Sequence, residues 1–194
     1  MASNDQKTRL IQDAAIALFS RYGFRKTAML DIARAAGISR ASLYLSFCSK
    51  EEVFRSVSIR LHEAAMAEVE AAFAGAGGAL ERIERALSAF MLGLTAPIMQ
   101  SPHGQELVDA NTALAADITG AAKARLLEGV SRELARAAGA GEIGLAALGV
   151  SSDELARMIV SAADGFKHAG APVASDHPAQ LALLMRLLAR ALVT

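Results

Sequence analysis

Between Thr27 and Lys50 the chain carries two short apolar-patterned stretches separated by a glycine, and this spacing constrains the fold more than any other part of the sequence. In the first stretch Leu30, Ile32 with Ala33, and Ala36 supply one helical face. Thr27 is placed to cap its start and Gly37 to end it, because glycine best tolerates the left-handed turn that follows a helix. Ile38 then points inward. Ser39 can cap a second helix whose apolar residues Leu43 and Phe47 fall four apart, while Arg40, Ala41, Ser42 and Tyr44 occupy the opposite face.

Helix, glycine turn, helix is the helix-turn-helix arrangement. Small side chains at Ala41 and Ser42 allow close approach to base edges, and Arg40 can donate two parallel hydrogen bonds to guanine. On spacing alone, an ordinary helical hairpin with a solvated polar face fits equally well. The rest of the sequence also reads as helix: it is rich in Ala, Leu, Glu and Arg, has no Trp, and shows no alternating β-branched stretch, so the expected fold class is all-α. The formal net charge is zero, but residues 1–60 hold ten Lys or Arg against five acids, leaving ten basic and fifteen acidic residues beyond them. A phosphate-binding head on a more acidic body shows this asymmetry, as does chance variation among surface charges.

Ser3 with Gln6 has capping-box spacing ahead of Leu10, Ile11, Ala14, Ala15, Leu18 and Phe19, a first helix that ends near Tyr22-Gly23 and covers the back of the two short helices. Lys7, Arg9, Arg25 and Lys26 lie where they could meet phosphates or simply be solvated. Ser49 can cap a long connector helix over 49–74, with Glu51 and Glu52 at its positive end. Gly75, Gly77 and Gly78 then mark the best domain boundary. The next amphipathic helix, through Leu87 and Phe90, is expected to break at Gly93 and Pro97, and Ser101-Pro102 to restart the chain as cap and first helical residue. Helices through Leu107–Ile118 and Ala122–Ala138 follow, then a loop-like stretch from Gly139 to Gly149. Ser151 with Glu154 forms another capping box. The last helix, over 176–193, carries leucines in nearly every direction, which demands cover on more than one side, from a partner subunit or from its own.

The anchors in fixed order from Leu10 to Phe54, namely Ala14-Ala15, Phe19, Tyr22-Gly23-Phe24, Thr27, Asp31-Ile32-Ala33, Ala36-Gly37-Ile38-Ser39, Leu43-Tyr44, Phe47 and Ser49-Lys50-Glu51-Glu52, resemble the DNA-binding domain of the TetR family of transcriptional repressors. The resemblance covers about a quarter of the chain. It implies an N-terminal three-helix helix-turn-helix domain (1–50) joined by the connector helix to a helical ligand-binding and dimerisation domain (51–194). Carried over residue by residue, Arg40, Ala41, Ser42 and Tyr44 would face bases, and Thr27, Tyr44, Ser46 and Lys50 would hold phosphates. It further implies a repressor that binds a near-palindromic operator in double-stranded DNA, a small-molecule effector that releases it, and a homodimer built from residues 151–170 and 176–193. Two departures stand out: Ser46 occupies a position that is often His or Tyr in relatives, and Leu45 one where an aromatic or polar residue is common.

Other chemistry finds little footing. Gly139, Gly141 and Gly144 satisfy G-x-G-x-x-G, but a helix-forming stretch precedes them where a dinucleotide fold needs a buried strand. His62, His103, His168 and His177 are scattered, one cysteine gives no zinc spacing, and no cofactor or metal is expected. Cys48 has Lys50 nearby but no second thiol to resolve an oxidised sulfur. No nucleophile lies at recognisable spacing from a base, so no enzyme is expected; the alternative is a helical ligand-binding protein or enzyme that has lost DNA binding. Phe90, Met91, Met99, His103, Asn111, Met158, Phe166 and His168 could line a ligand cavity, though helical spacing suits them equally to a core. The first residues lack a secretory layout and no apolar run reaches membrane-spanning length, so the expected location is cytoplasmic and off the membrane.

Overall fold

The computed structural model describes residues 2–99, 101–166 and 177–192. The protein is all-α: among the described residues there are nine α-helices and no strand. They are α1 (Ala2–Tyr22), α2 (Met29–Ala35), α3 (Arg40–Tyr44), α4 (Lys50–Ala74), α5 (Ala79–Met99), α6 (Gly104–Leu114), α7 (Ala116–Gly139), α8 (Ser152–Phe166) and α9 (His177–Leu192), with a 3-10 turn at Leu145–Leu148. By contacts they fall into two compact units. The first combines residues up to Glu63 with Gly93–Gly120, and the second combines Ala64–Leu92 with the described residues from Ala121 onward.

The first unit is built on the core that the heptad-like spacing of α1 supplies. Ile11, Ala15 and Phe19 of α1 are buried with Ile32 and Ala33 of α2, Leu43 of α3, Val53, Phe54 and Val57 of α4, and Leu107 of α6. Phe19, Phe24 and Phe54 meet with ring centroids 5.2–5.7 Å apart, in tilted and edge-to-face arrangements that suit the ring quadrupoles. Each fully buried Leu, Ile or Phe contributes roughly 1.5–3 kcal/mol relative to exposure. Two of the head's cations are spent inside this unit. Arg60 pairs with Asp13 at 2.6 Å, and Arg55 grips Asp117 through both terminal nitrogens at 2.8 Å while also donating to the Leu114 carbonyl. The hydrogen bonds from Arg55 hold the Asp117 carboxyl down at about 2.

In the second unit, Ile83 and Leu87 of α5, Leu126, Val130 and Leu134 of α7, Leu155 and Ile159 of α8, and Leu181, Met185 and Leu192 of α9 are buried. Helix α7 approaches α4 closely at Gly129, where an added Cβ would stand 2.6 Å from the Phe73 ring. Glu133, only 7% exposed, accepts hydrogen bonds from Arg82 and Arg136, and Arg136 reaches on to Glu142. Burial pushes the Glu133 carboxyl up, but the hydrogen bonds from Arg136 and Arg82 together outweigh it and leave the group below its ordinary value of 4.5.

Several local expectations hold and several do not. Helix α4 occupies the expected span, Ser49 Oγ accepts the Glu52 amide, and the Ser151–Glu154 box is reciprocal, each side chain bonding the other's backbone N–H. Thr27 does not cap α2: Ala28 takes that position, its N–H held by the Asp31 carboxylate, while the Thr27 hydroxyl turns back to the Gly23 carbonyl. Ser3 lies inside α1 instead of ahead of it. Pro97 does not end α5, which runs on to Met99, and α6 starts at Gly104 after Pro102 has been left in a turn. Ser101 Oγ instead donates to the Ser20 carbonyl of α1. Leu30 is exposed, so α2 buries only Ile32 and Ala33.

Two measurements follow. Gly37 has φ +68°, and an added Cβ would meet no atom within 4 Å, so the penalty for Gly37→Ala is backbone strain alone. It should lower the unfolding free energy by about 1–2 kcal/mol in urea melts, with Asn at the same position losing less. For the buried carboxylate, a folded value below 4.5 means that its contribution is fully present above that pH and is lost as pH falls through the lower folded value. The stability gap between wild type and Glu133→Gln should therefore narrow from neutral pH to about pH 3.

Candidate nucleic-acid interface

The turn between α2 and α3 is fixed by the backbone. Helix α2 closes with the Gly37 amide on the Arg34 carbonyl (3.1 Å) and the Ile38 amide on the Ala33 carbonyl (3.0 Å), the paired bonds of a Schellman ending. Ile38 packs against the head core, and one residue later Ser39 Oγ accepts the Ser42 amide at 3.1 Å, starting α3. Helix α3 buries Leu43 completely, and Phe47 packs behind it half-buried.

This leaves the other side of α3 outward. Arg40, Ala41 and Tyr44 are exposed and Ser42 is half-buried, its amide on Ser39 and its carbonyl accepting the Ser46 hydroxyl at 3.5 Å. The Arg40 guanidinium lies 5.4 Å from the centre of the Tyr44 ring, an i,i+4 cation–π pair that orients the cation outward along the helix. Leu45 continues the helical geometry, its amide on the Ala41 carbonyl at 3.1 Å, and is 86% exposed.

Beside α3 lies a groove of about 460 Å³ whose lining includes Arg25, Lys26, Thr27, Arg40, Tyr44 and Lys50 and no acidic residue. Its inner wall is the loop between α1 and α2. Lys50, at the start of α4, turns its ammonium into that loop and donates to the carbonyls of Phe24 (2.7 Å), Thr27 (2.9 Å) and Arg25 (3.3 Å), with the Phe24 ring 4.4 Å away. From the other side the Glu106 carboxylate of α6 accepts the Arg25 amide at 2.7 Å and presses against Gly23. Thr27 is 4% exposed and its hydroxyl is bonded to Gly23 at 2.7 Å. Of the residues expected at DNA, Arg40, Tyr44 and Lys50 therefore line one groove with Thr27, Ala41 and Ser42 stand on the adjoining face of α3, and Ser46 lies half-buried just beyond it.

Residues 11–57 match the family model of bacterial regulatory proteins of the tetR family. Over these residues the chain is similar to the DNA-binding domain of the tetR family. The uncharacterized HTH-type transcriptional regulator YfiR of Bacillus subtilis (strain 168) is 42% identical to it over 53 residues, 27% of this chain and 26% of that protein, so the match spans about a quarter of that curated relative. A transcriptional regulator from Cytophaga hutchinsonii ATCC 33406 shares the fold with a TM-score of 0.79 at 20% identity, over 96% of this chain and 98% of that one. SmeT, the repressor of the Stenotrophomonas maltophilia multidrug efflux pump SmeDEF, does so with a TM-score of 0.69 at 22% identity, over 96% and 90%, and a SmeT–triclosan complex also aligns. At these identities the likeness is one of fold.

The residues considered for a ligand cavity are divided between the two units. Phe90 and Met91 are buried in the second unit and Met158 is exposed there. In the first unit Asn111 bonds Ser58 and Thr119, and His103 stands 3.7 Å from Glu106. The side chains of Met99 and Phe166, and His168 entirely, lie outside the described residues. Among the described residues no three His, Cys, Asp or Glu side chains form a metal-sized cluster, and no helix is long and apolar enough to cross a membrane. The Gly139–Gly144 run follows helix α7, not a strand. Cys48 is exposed, its amide on Glu52 at 2.6 Å.

The two partners that brace the loop were invisible in sequence because they lie 23–26 residues and 81 residues away along the chain. The Arg40–Tyr44 stack had a signal, its i,i+4 spacing. Removing the ammonium that three carbonyls share leaves them short of a charged donor, so Lys50→Met should cost about 1.5–3 kcal/mol of stability in urea melts. Faster amide exchange should appear at residues 24–27, and an unchanged protein would contradict this role.

Proposed function

We propose that the protein is a ligand-responsive transcriptional repressor of the cytoplasm, which binds a near-palindromic operator as a homodimer and is released by a small-molecule effector. The observation that carries the DNA-binding part is the outward face of α3, with Arg40 stacked on Tyr44 beside an acid-free groove lined by Arg25, Lys26 and Lys50. A helix of that kind enters the major groove, and Arg40 donates to guanine O6 and N7. Arg25 and Lys26, exposed at the groove's edge, meet the phosphates. With its ammonium on three carbonyls, Lys50 sets the position of the loop that carries them, and its charge adds to the same field.

The dimer is proposed through α8 and α9, within residues 151–170 and 176–193; residues 167–176 and 193 lie outside the described residues. Supporting it, Met158 of α8 and Leu183 and Leu187 of α9 are exposed opposite the buried faces of their helices. Large side chains left bare at helical spacing suit a second copy. Two heads would then sit about 34–36 Å apart or a multiple of it. The effector is proposed from the fold likeness to SmeT, for which a triclosan complex is known. Coupling of about 1–3 kcal/mol between effector and operator suffices for release.

Selection of bound fragments from random DNA tests the role and returns the operator. Inverted half-sites should emerge, and no enrichment would refute DNA binding. On the selected site Arg40→Ala should cost about 1–3 kcal/mol and relax base preference at one position. Equal loss on selected and random DNA would remove Arg40 from base readout.

A further inference from the structure

Helix α3 presents two parallel i,i+4 pairs outward. One is Arg40 stacked on Tyr44, and the other is Ala41 with Leu45. The second pair is apolar. Leu45, at 86%, has the largest exposure among the large hydrophobic residues described, and the Leu45–Ala41 backbone bond keeps both side chains on one stripe. This leucine stands beside Tyr44 at the end of a helix whose neighbouring groove gathers Arg25, Lys26, Arg40 and Lys50 without an acid, the charge that a polyphosphate partner complements. Within a DNA major groove one apolar group is offered at the base edges, the C5 methyl of thymine.

We propose that Leu45, with Ala41 as the floor, reads a thymine methyl next to the guanine read by Arg40, so that each half-site carries a G and a T at adjacent or next-adjacent positions. This rests on the proposed DNA-binding role and assigns one specificity element within it. The two outward pairs divide the work: the guanidinium takes two hydrogen-bond acceptors, and the leucine takes a group with none. Tyr44 is a positioning residue here, since its ring orients Arg40, and its hydroxyl is free to face the backbone.

The test uses the full chain and the operator returned by selection. Each thymine of the half-site is replaced, in both halves, by deoxyuridine, which removes only the methyl, and binding is read by fluorescence anisotropy. One position should weaken wild-type binding about fourfold per half-site, the value of one buried methyl. In Leu45→Ala the same replacement should change binding less than twofold, while its circular dichroism and urea midpoint stay at wild-type values because the side chain is exposed. Three results overturn the proposal while leaving DNA binding intact: no thymine adjacent or next-adjacent to the guanine in the selected half-site, deoxyuridine neutral at every position, or Leu45→Ala as sensitive to deoxyuridine as wild type. Absence of any selected operator overturns it together with the role it rests on.

Discussion

A helix of five residues cannot hold itself in water, because one turn fixes several backbone dihedrals for a single hydrogen bond. Helix α3 exists only because its surroundings dictate it. Gly37 takes the left-handed conformation that lets α2 end with both Schellman bonds, Ser39 captures the orphan amide of Ser42, and Leu43 inserts fully into the core it shares with α1 and α4. Everything outward-facing on α3 inherits its direction from those three inward constraints. That is how a protein with zero net charge can still aim one guanidinium at a chosen point.

The charge of the head is likewise a matter of placement. Arg55 and Arg60 are neutralised by Asp117 and Asp13, and Lys50 is turned inward onto loop carbonyls. What remains beside α3 is a groove rimmed by Arg25, Lys26 and Arg40, stiffened from within by Lys50 and from outside by Glu106. A stiff groove loses less entropy when it meets a polyanion than a mobile one would, so under the proposed role the residues that stabilise the loop would also prepare it for phosphate.

The sequence made the helix-turn-helix legible because its determinants are local. A glycine that only backbone conformation requires, a serine three residues from the amide it caps, and apolar residues four apart can all be read without knowing the fold. Thr27 departs from its expected cap for the converse reason: its hydroxyl could accept a first-turn amide of α2 or donate to the Gly23 carbonyl, and it does the latter, leaving Asp31 to hold the Ala28 amide. Pro97 suggested a helix end that α5 does not make, and Ser101 suggested a cap where it instead ties to Ser20 of α1. The Arg82–Glu133 pair and the braces on the 23–27 loop join residues tens of positions apart, and no local pattern announces them. Leu45 was visible in sequence only as a departure from the expected residue type; its meaning depends on an exposure that the fold alone supplies.

The central claim is that α3 lies in the wide groove of a duplex, carried there by two copies of the chain. Dimethyl sulfate footprinting reads it directly, since guanine N7 is reached through the major groove and adenine N3 through the minor. With the full chain on its selected operator, guanine N7 should be protected in two clusters centred about one helical turn or a multiple of it apart. Protection confined to adenine N3, or a single cluster at saturating protein, would contradict the account.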